Sequence, residues 1–296
     1  MSTDYLDTLG RLEASFYEPL ISATEEAWKN NWISNDVSGH DPLAVALIGG
    51  ALADRPAWIF HAGYQGMMRY AFPFCPKSGW ASYLVAEDKT GEYSGTVIAK
   101  STDSRTVSGF KNWVAASGHV DHLIVQVTGS DENTLLLIDR NAAGVALTHR
   151  ESPGFLADMS QGFAAFDEVN VTDDCIFSSG DLPPNFAQSE PLHVLTALNA
   201  FMVSQTLNLG GNPGILTAAM DSLRLAGRLV EGNATGDDFF LGVADLDASM
   251  TETARSFEEF IQVEDIGLHL RWRKDRGLVK MFSRGLQKRA KWLREN

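Results

Sequence analysis

The residues in this chain best equipped for chemistry are carboxylates, one tryptophan on a β-like run and a few arginines. There is no CxxC, no HExxH and no Cys/His cluster with ligand spacing, so no metal site is expected. Cys75 and Cys175 could pair in principle, since each flanks the β-rich third, but reduced thiols are expected. Asp121 and His122, adjacent at a strand start, read as a turn contact rather than an acid–base pair, and Glu87 as a structural carboxylate. Trp113 on a strand reads as core when taken alone. Arg228 near a helix end can offset the negative pole of the helix dipole. Gly210-Gly211-Asn212-Pro213-Gly214 has two readings. A helix that starts after glycines, with Asn212 as N-cap, can hold phosphate on its free N–H groups. A kink in one long helix needs only the glycines and the proline, and is preferred.

The elements that carry these residues follow from composition and period. The chain has 296 residues, 44% hydrophobic and 21% charged, which suits a folded protein with a substantial core. No run reaches the roughly 18 apolar residues of a membrane span. The N-terminal MSTDYLDTLGRLEASF carries acids early and has no basic region before an apolar run, so a cytoplasmic location is expected. The net charge of −14 argues against general nucleic-acid affinity. Ten of the 24 cations lie between Arg271 and Arg294, which predicts an acidic partner for them within the chain or on a neighbouring subunit.

The pattern predicts an α+β fold in three parts: an N-terminal helical domain over 1–79, a central β-barrel or sandwich over 80–180, and a C-terminal helical bundle over 181–296. Asp41-Pro42 reads as N-cap and first helical residue of an apolar helix ending near Leu52. Seven strands are predicted: Ala81–Glu87, Thr96–Lys100, Lys111–Ala115, Leu123–Thr128, Thr134–Asp139, Val145–Thr148 and Gly162–Val171. The bundle reads as helices over 191–208, 214–231, Leu241–Val263 and Leu268–Leu293. On the last, Leu278, Met281, Phe282, Leu286, Ala290 and Leu293 form one apolar stripe.

With these residues in view, the chain resembles the acyl-CoA dehydrogenase superfamily over about residues 40 to 260. Ser108-Gly109-Phe110-Lys111-Asn112-Trp113-Val114-Ala115 is similar to the family's N-G-x-K-x-W-I-T segment, and Val120-Asp121-His122-Leu123-Ile124-Val125 to its A-D-x-x-x-V strand. Tyr83-Leu84-Val85-Ala86-Glu87-Asp88 resembles Y-x-x-T-E-P, and Phe166-Asp167-Glu168-Val169-Asn170-Val171 resembles F-D-x-V-x-V. Arg228-Leu229-Val230-Glu231-Gly232 resembles the R-x-x-F-G turn between two bundle helices. The resemblance implies an oxidoreductase of lipid metabolism that binds FAD and an acyl-CoA thioester and works as a homo- or hetero-oligomer with a related subunit. It implies that Tyr83, Val85, Trp113, Val114 and Ala115 line the flavin and that Arg228 meets phosphate, a role suited to a forked guanidinium.

The departures matter as much. Ala86 and Asp88 replace the threonine and proline of T-E-P, Ala115 replaces the threonine of W-I-T, and Glu231 replaces the phenylalanine of R-x-x-F-G. The family's G-S-D turn gives way to Lys89-Thr90-Gly91-Glu92-Tyr93-Ser94, in which Thr90 or Ser94 could substitute. The family's usual base, in a late E-G-T-type loop, has no counterpart here. At its other placement, on a bundle helix, the chain has Ala200, Phe201, Met202 and Val203, none of them acidic. The catalytic residue is therefore unknown at this level. Three readings stay open: one subunit of a hetero-oligomeric dehydrogenase, a self-sufficient flavoprotein using Glu190, Glu231, Asp237 or Asp238 as base, and a catalytically inactive scaffold or flavin-free binding relative. The acidity of the chain disfavours a nucleic-acid-binding version of the third.

Overall fold

The computed structural model describes residues 2–100, 105–128, 134–151, 153–232 and 235–296. The chain divides into two compact units, one made of residues 1–71 with 184–296 and the other of residues 72–183.

The first unit is helical. Its elements are α1 (Thr3–Glu13), α2 (Glu25–Ser34), α3 (Pro42–Leu52), α4 (Pro56–Ala71), α5 (Phe186–Asn208), α6 (Pro213–Glu231), α7 (Gly236–Glu264), α8 (Ile266–Lys274) and α9 (Ser283–Glu295). Local side chains start several of them: Ser2 Oγ accepts from Tyr5 N at 3.1 Å, and Asp265 Oδ1 accepts from Leu268 N at 2.9 Å. Asp41 holds the cap position of α3 with Pro42 in the first turn, but its side chain makes no capping bond. Its backbone N–H donates instead to Asp4 Oδ2 at 2.6 Å, which ties α3 to α1.

The core of this unit is α3, α4 and α5, all packed on one another. Their interfaces are so close that two glycines are required. A Cβ at Gly50 would lie 2.6 Å from Ala197 Cα, and one at Gly63 would lie 2.7 Å from Val194 N. Beside them Trp28 stacks on Trp58 with ring centroids 5.8 Å apart, and Trp28 Nε1 donates to His61 Nδ1 at 3.1 Å.

Two expectations for the bundle are corrected. Gly210–Gly214 is not a kink. α5 ends at Asn208, Gly210 and Gly211 take φ of 91° and 88°, and α6 starts at Pro213 and packs back on α5. The left-handed φ values end one helix outright, which a kink would not need. Nor is Leu268–Leu293 one helix: a 3₁₀ turn over Arg276–Lys280, which contains Gly277, separates α8 from α9 and is opened by non-helical backbone at Asp275 (φ −129°, ψ 30°). The stripe is kept only in part, since Leu278, Leu286 and Ala290 are buried while Met281 is 44% exposed. The cations of this segment find acids in the same chain. Arg294 pairs with Asp245 at 2.5 Å, Arg289 with Asp237 at 3.4 Å and Arg276 with Glu258 at 3.4 Å.

The second unit is two four-stranded sheets. One runs β1 (Ala81–Leu84), β4 (His122–Gln126), β5 (Thr134–Asp139), β8 (Ile176–Ser178), with β1 parallel to β4 and the rest antiparallel. The other runs β2 (Val97–Lys100), β3 (Arg105–Ala115), β7 (Gln161–Asn170), β6 (Val145–His149), antiparallel throughout. Both sheets give side chains to one aliphatic core, including Leu84, Leu123, Val125 and Ile138 from the first and Val107, Val114, Ala164 and Phe166 from the second. Of the two architectures expected here, this is the sandwich and not a closed barrel. All seven expected strands are present, and Ile176–Ser178 adds an eighth that is too short to show a period. No helix of the described residues is long and apolar enough to cross a membrane, and no cluster of metal-ligating side chains occurs among them.

Candidate functional site

In the β unit, the segment after β1 crosses the end of β3 and fixes most of the expected site residues. Asn112 N donates to Ala86 O at 2.7 Å, and Phe110 N donates to Ser94 O at 3.0 Å. Lys111 is 1% exposed, and its Nζ donates to Glu87 Oε1 at 2.9 Å. Thr128 Oγ1 donates to the same carboxylate oxygen. The Thr128 hydroxyl first, and then the Lys111 ammonium, hold Glu87 below the usual carboxylate range. Glu87 is thus the structural carboxylate expected, and it clamps together two segments that were aligned separately in the sequence. β3 carries a register shift against β7 between Lys111 and Val114, which turns Trp113 out of the regular ladder.

The clamp presents the expected residues unequally. Val85 is 49% exposed and Trp113 is half-buried, with Trp113 Nε1 donating to Gln161 Oε1 at 3.4 Å. Tyr83 is half-buried against Phe72, with centroids 5.0 Å apart, and its hydroxyl donates to Gln126 Oε1 at 2.7 Å. Val114 and Ala115 are buried, Val114 in the aliphatic core. The Ala115 N–H donates to Ser82 Oγ at 3.0 Å. Asp88 organises the next turn by accepting from Thr90 N, Glu92 N and Tyr93 N at 2.9 to 3.1 Å, and from Thr90 Oγ1 at 2.6 Å. Those bonds, the Thr90 hydroxyl first, lower the Asp88 pKa to about 2. The Thr90 hydroxyl is therefore committed to Asp88. Gln126, Thr128 and Gln161 were not singled out in the sequence, because their partners come from strands far away along the chain.

The helical unit holds the remaining candidates. Arg228 is exposed in the last turn of α6, and the N–H of Gly232 bonds to its carbonyl at 2.9 Å. Asn212 Oδ1 accepts from Gly214 N at 3.1 Å and from Ile215 N at 3.3 Å, so the start of α6 spends two of its first-turn donors on its own cap. That leaves little of the phosphate reading of this loop. Among the acids, Glu231 and Asp238 are exposed, and Asp237 is 62% exposed and paired with Arg289. Glu190 differs. It sits in the opening turns of α5, and burial raises its pKa to about 7.

The donor set decides how a flavin would fit the β wall. Val85 and Trp113 offer an apolar and aromatic surface of the right kind for a planar ring. Ala115 has no hydroxyl, its N–H is bonded to Ser82, and Thr90 is bonded to Asp88. The wall fits the group as a stacking surface with few free polar contacts.

The architecture is an acyl-CoA dehydrogenase-like fold. Butyryl-CoA dehydrogenase from Megasphaera elsdenii superposes with a TM-score of 0.67 at 11% identity, covering 100% of this chain and 99% of that one. The prolyl acyl carrier protein oxidase AnaB gives 0.65 at 15% identity, covering 99% of both chains. The ChsE4-ChsE5 complex from Mycobacterium tuberculosis gives 0.56 at 14% identity, covering 100% of this chain and 98% of that one. No family model matches the sequence, and no curated protein matches it.

Proposed function

We propose that this chain is an acyl-CoA dehydrogenase-like flavoprotein, acting in an oligomer, that introduces an α,β double bond into an acyl thioester. The observation that carries the reading is the Lys111–Glu87 ion pair, which joins the two resembling segments and holds Val85 and Trp113 in place beside it. FAD, when bound, supplies the hydride acceptor for the β-carbon. Tyr83, Val85 and Trp113 would hold the ring by contact, Val114 and Ala115 would back it from the core, and Arg228 would pair with phosphate. Glu190 is the carboxylate suited to take the α-proton. Its shielding makes it basic enough to compete for a carbon acid, whereas Glu231, Asp237 and Asp238 stay in water. Above about pH 7 it is ionised and able to accept a proton, so turnover should rise with pH through that value. The thioester could be carried by coenzyme A or by a carrier protein, as the name of AnaB allows.

Visible absorption of freshly purified protein tests the reading. A flavin band that bleaches on anaerobic addition of an acyl-CoA or an acyl carrier protein is expected. Glu190→Gln should slow that bleaching by roughly a hundredfold or more and leave the flavin content unchanged. Protein that takes up no flavin, alone or with any co-purifying subunit, would end the proposal. Ala115 supports a second reading, a subunit without catalysis of its own. Colourless protein that acquires flavin only together with a partner, and an E190Q variant that turns over normally in that complex, would favour it.

A further inference from the structure

The second half of α7, α8 and the 3₁₀ turn over Arg276–Lys280 surround a cavity of about 370 Å³ in the helical unit. Its apolar wall is Ala254, Trp272 and Val279, all buried. Trp272 is fixed there, because it stacks on Phe201 with centroids 5.7 Å apart and meets Phe257 edge-on at 5.4 Å. Small-molecule sites have this size, with an apolar lining and a few polar groups that set the orientation.

Charge sets this wall apart from the rest of the chain. The chain carries −14 overall, yet Arg255, Arg276 and Lys280 stand at the cavity with Glu258 as their one acid among the described residues, an excess of two positive charges. None of the three cations is firmly held. Arg255 pairs with Glu252 at 3.1 Å and Arg276 with Glu258 at 3.4 Å, and exposed pairs of this kind contribute little. Lys280 is exposed and has no ion pair among the described residues. Glu258 is also drawn to His269, whose Nε2 lies 3.9 Å away. An anion that enters can therefore take two guanidinium forks and an ammonium with little to break first. An excess of two charges suits a dianion, and the indole and aliphatic wall suits an apolar body attached to it. About four turns of α7 lie between Thr251, at the cavity, and the start of that helix, which follows Arg228 in the chain.

We propose that this cavity binds a small organic phosphate, with its apolar or aromatic body against Trp272, Ala254 and Val279 and its phosphate on Arg255, Arg276 and Lys280. The site stands apart from the flavin reading and from the phosphate contact given there to Arg228. Calorimetric titration of the full chain with 1-naphthyl phosphate at about pH 8, where the phosphate is a dianion, tests it, with 1-naphthol and inorganic phosphate as comparisons. Saturable binding of 1-naphthyl phosphate is expected, about tenfold or more tighter than either comparison compound. Lys280→Gln and Arg276→Gln should each weaken it roughly tenfold, and Arg228→Gln should leave it unchanged. The proposal is overturned by an absence of saturable binding, by a comparison compound that binds as tightly, by affinity that Lys280→Gln and Arg276→Gln both leave intact, or by affinity that Arg228→Gln removes.

Discussion

The two units solve the burial of polar groups in opposite ways. In the β unit the polar atoms near the candidate wall are committed to one another: Lys111 to Glu87, Thr128 to Glu87, the Ala115 N–H to Ser82 and the Asp88 carboxylate to its own turn. In the helical unit the tight contacts among α3, α4 and α5 leave ionisable groups shielded but not neutralised. Glu190 is raised to about pH 7 and His193 is lowered to about pH 4, both by burial. The contrast fits the roles proposed above. A sandwich with satisfied polar groups makes a rigid wall, whereas proton transfer near neutral pH requires a group whose solvation has been taken away.

That contrast can be broken most severely at the helix interfaces. Gly63→Leu drives a side chain into the backbone of α5 at Val194 and should cost about 3 kcal/mol or more, read as a lowered denaturant midpoint or outright loss of folding. A wild-type midpoint would mean that α4 and α5 are not in close contact.

The next largest effect is a pair of opposed pH dependences. The folded pKa of His193 lies below its unfolded value of 6.5, so its contribution is present above pH 6.5 and is lost as pH falls toward 4. The folded pKa of Glu190 lies above its unfolded value of 4.5, so its contribution is present below pH 4.5 and is lost as pH rises toward 7. Each spans roughly 3 kcal/mol at most, and the two offset one another between about pH 4.5 and 6.5. Glu190→Gln should therefore make stability rise with pH across that window, and His193→Leu should make it fall. Parallel profiles for the two variants in urea titrations would show that the two groups are not shielded as described.

A smaller effect separates the partners of the ion pair in the β unit. Lys111 is 1% exposed and Glu87 is 39% exposed. Glu87→Gln leaves a buried cation without its counter-charge and should cost about 2 kcal/mol, a figure reduced from that of a fully buried pair because Glu87 reaches solvent. Lys111→Met, which keeps the packing, should cost about 1 kcal/mol or less. The Glu87 contribution is present above pH 4.5 and fades as pH falls below it, since its folded pKa is the lower one. Equal costs for the two variants would place the cation in water.

Much of the β unit was legible in the sequence. Runs such as Leu123–Val127 and Leu135–Ile138 are too short for a usual helix and are bounded by turn residues, so they read as strands. Glu87 was legible as structural because it stands in a strand-ending motif. Less of the helical unit was legible. Gly210 and Gly211 look alike in a kink and in a helix end, and only the left-handed φ values distinguish the two. Glu190 stood among four acids of equal standing, because the sequence does not say which of them loses its water. His193 showed no signal at all, since apolar neighbours in sequence do not say how fully a ring loses its water.

Period, turn chemistry and motif order by themselves determined the α+β class, the strands and the order helix, sheet, helix, because those depend on residues a few positions apart. Only the tertiary structure decided that helices from both ends of the chain share one core, that Lys111 meets Glu87, and that Glu190 and His193 titrate far from their usual pH. Each of these depends on which distant segments exclude water from a given atom, and desolvation is a property of the packed neighbourhood rather than of the residue.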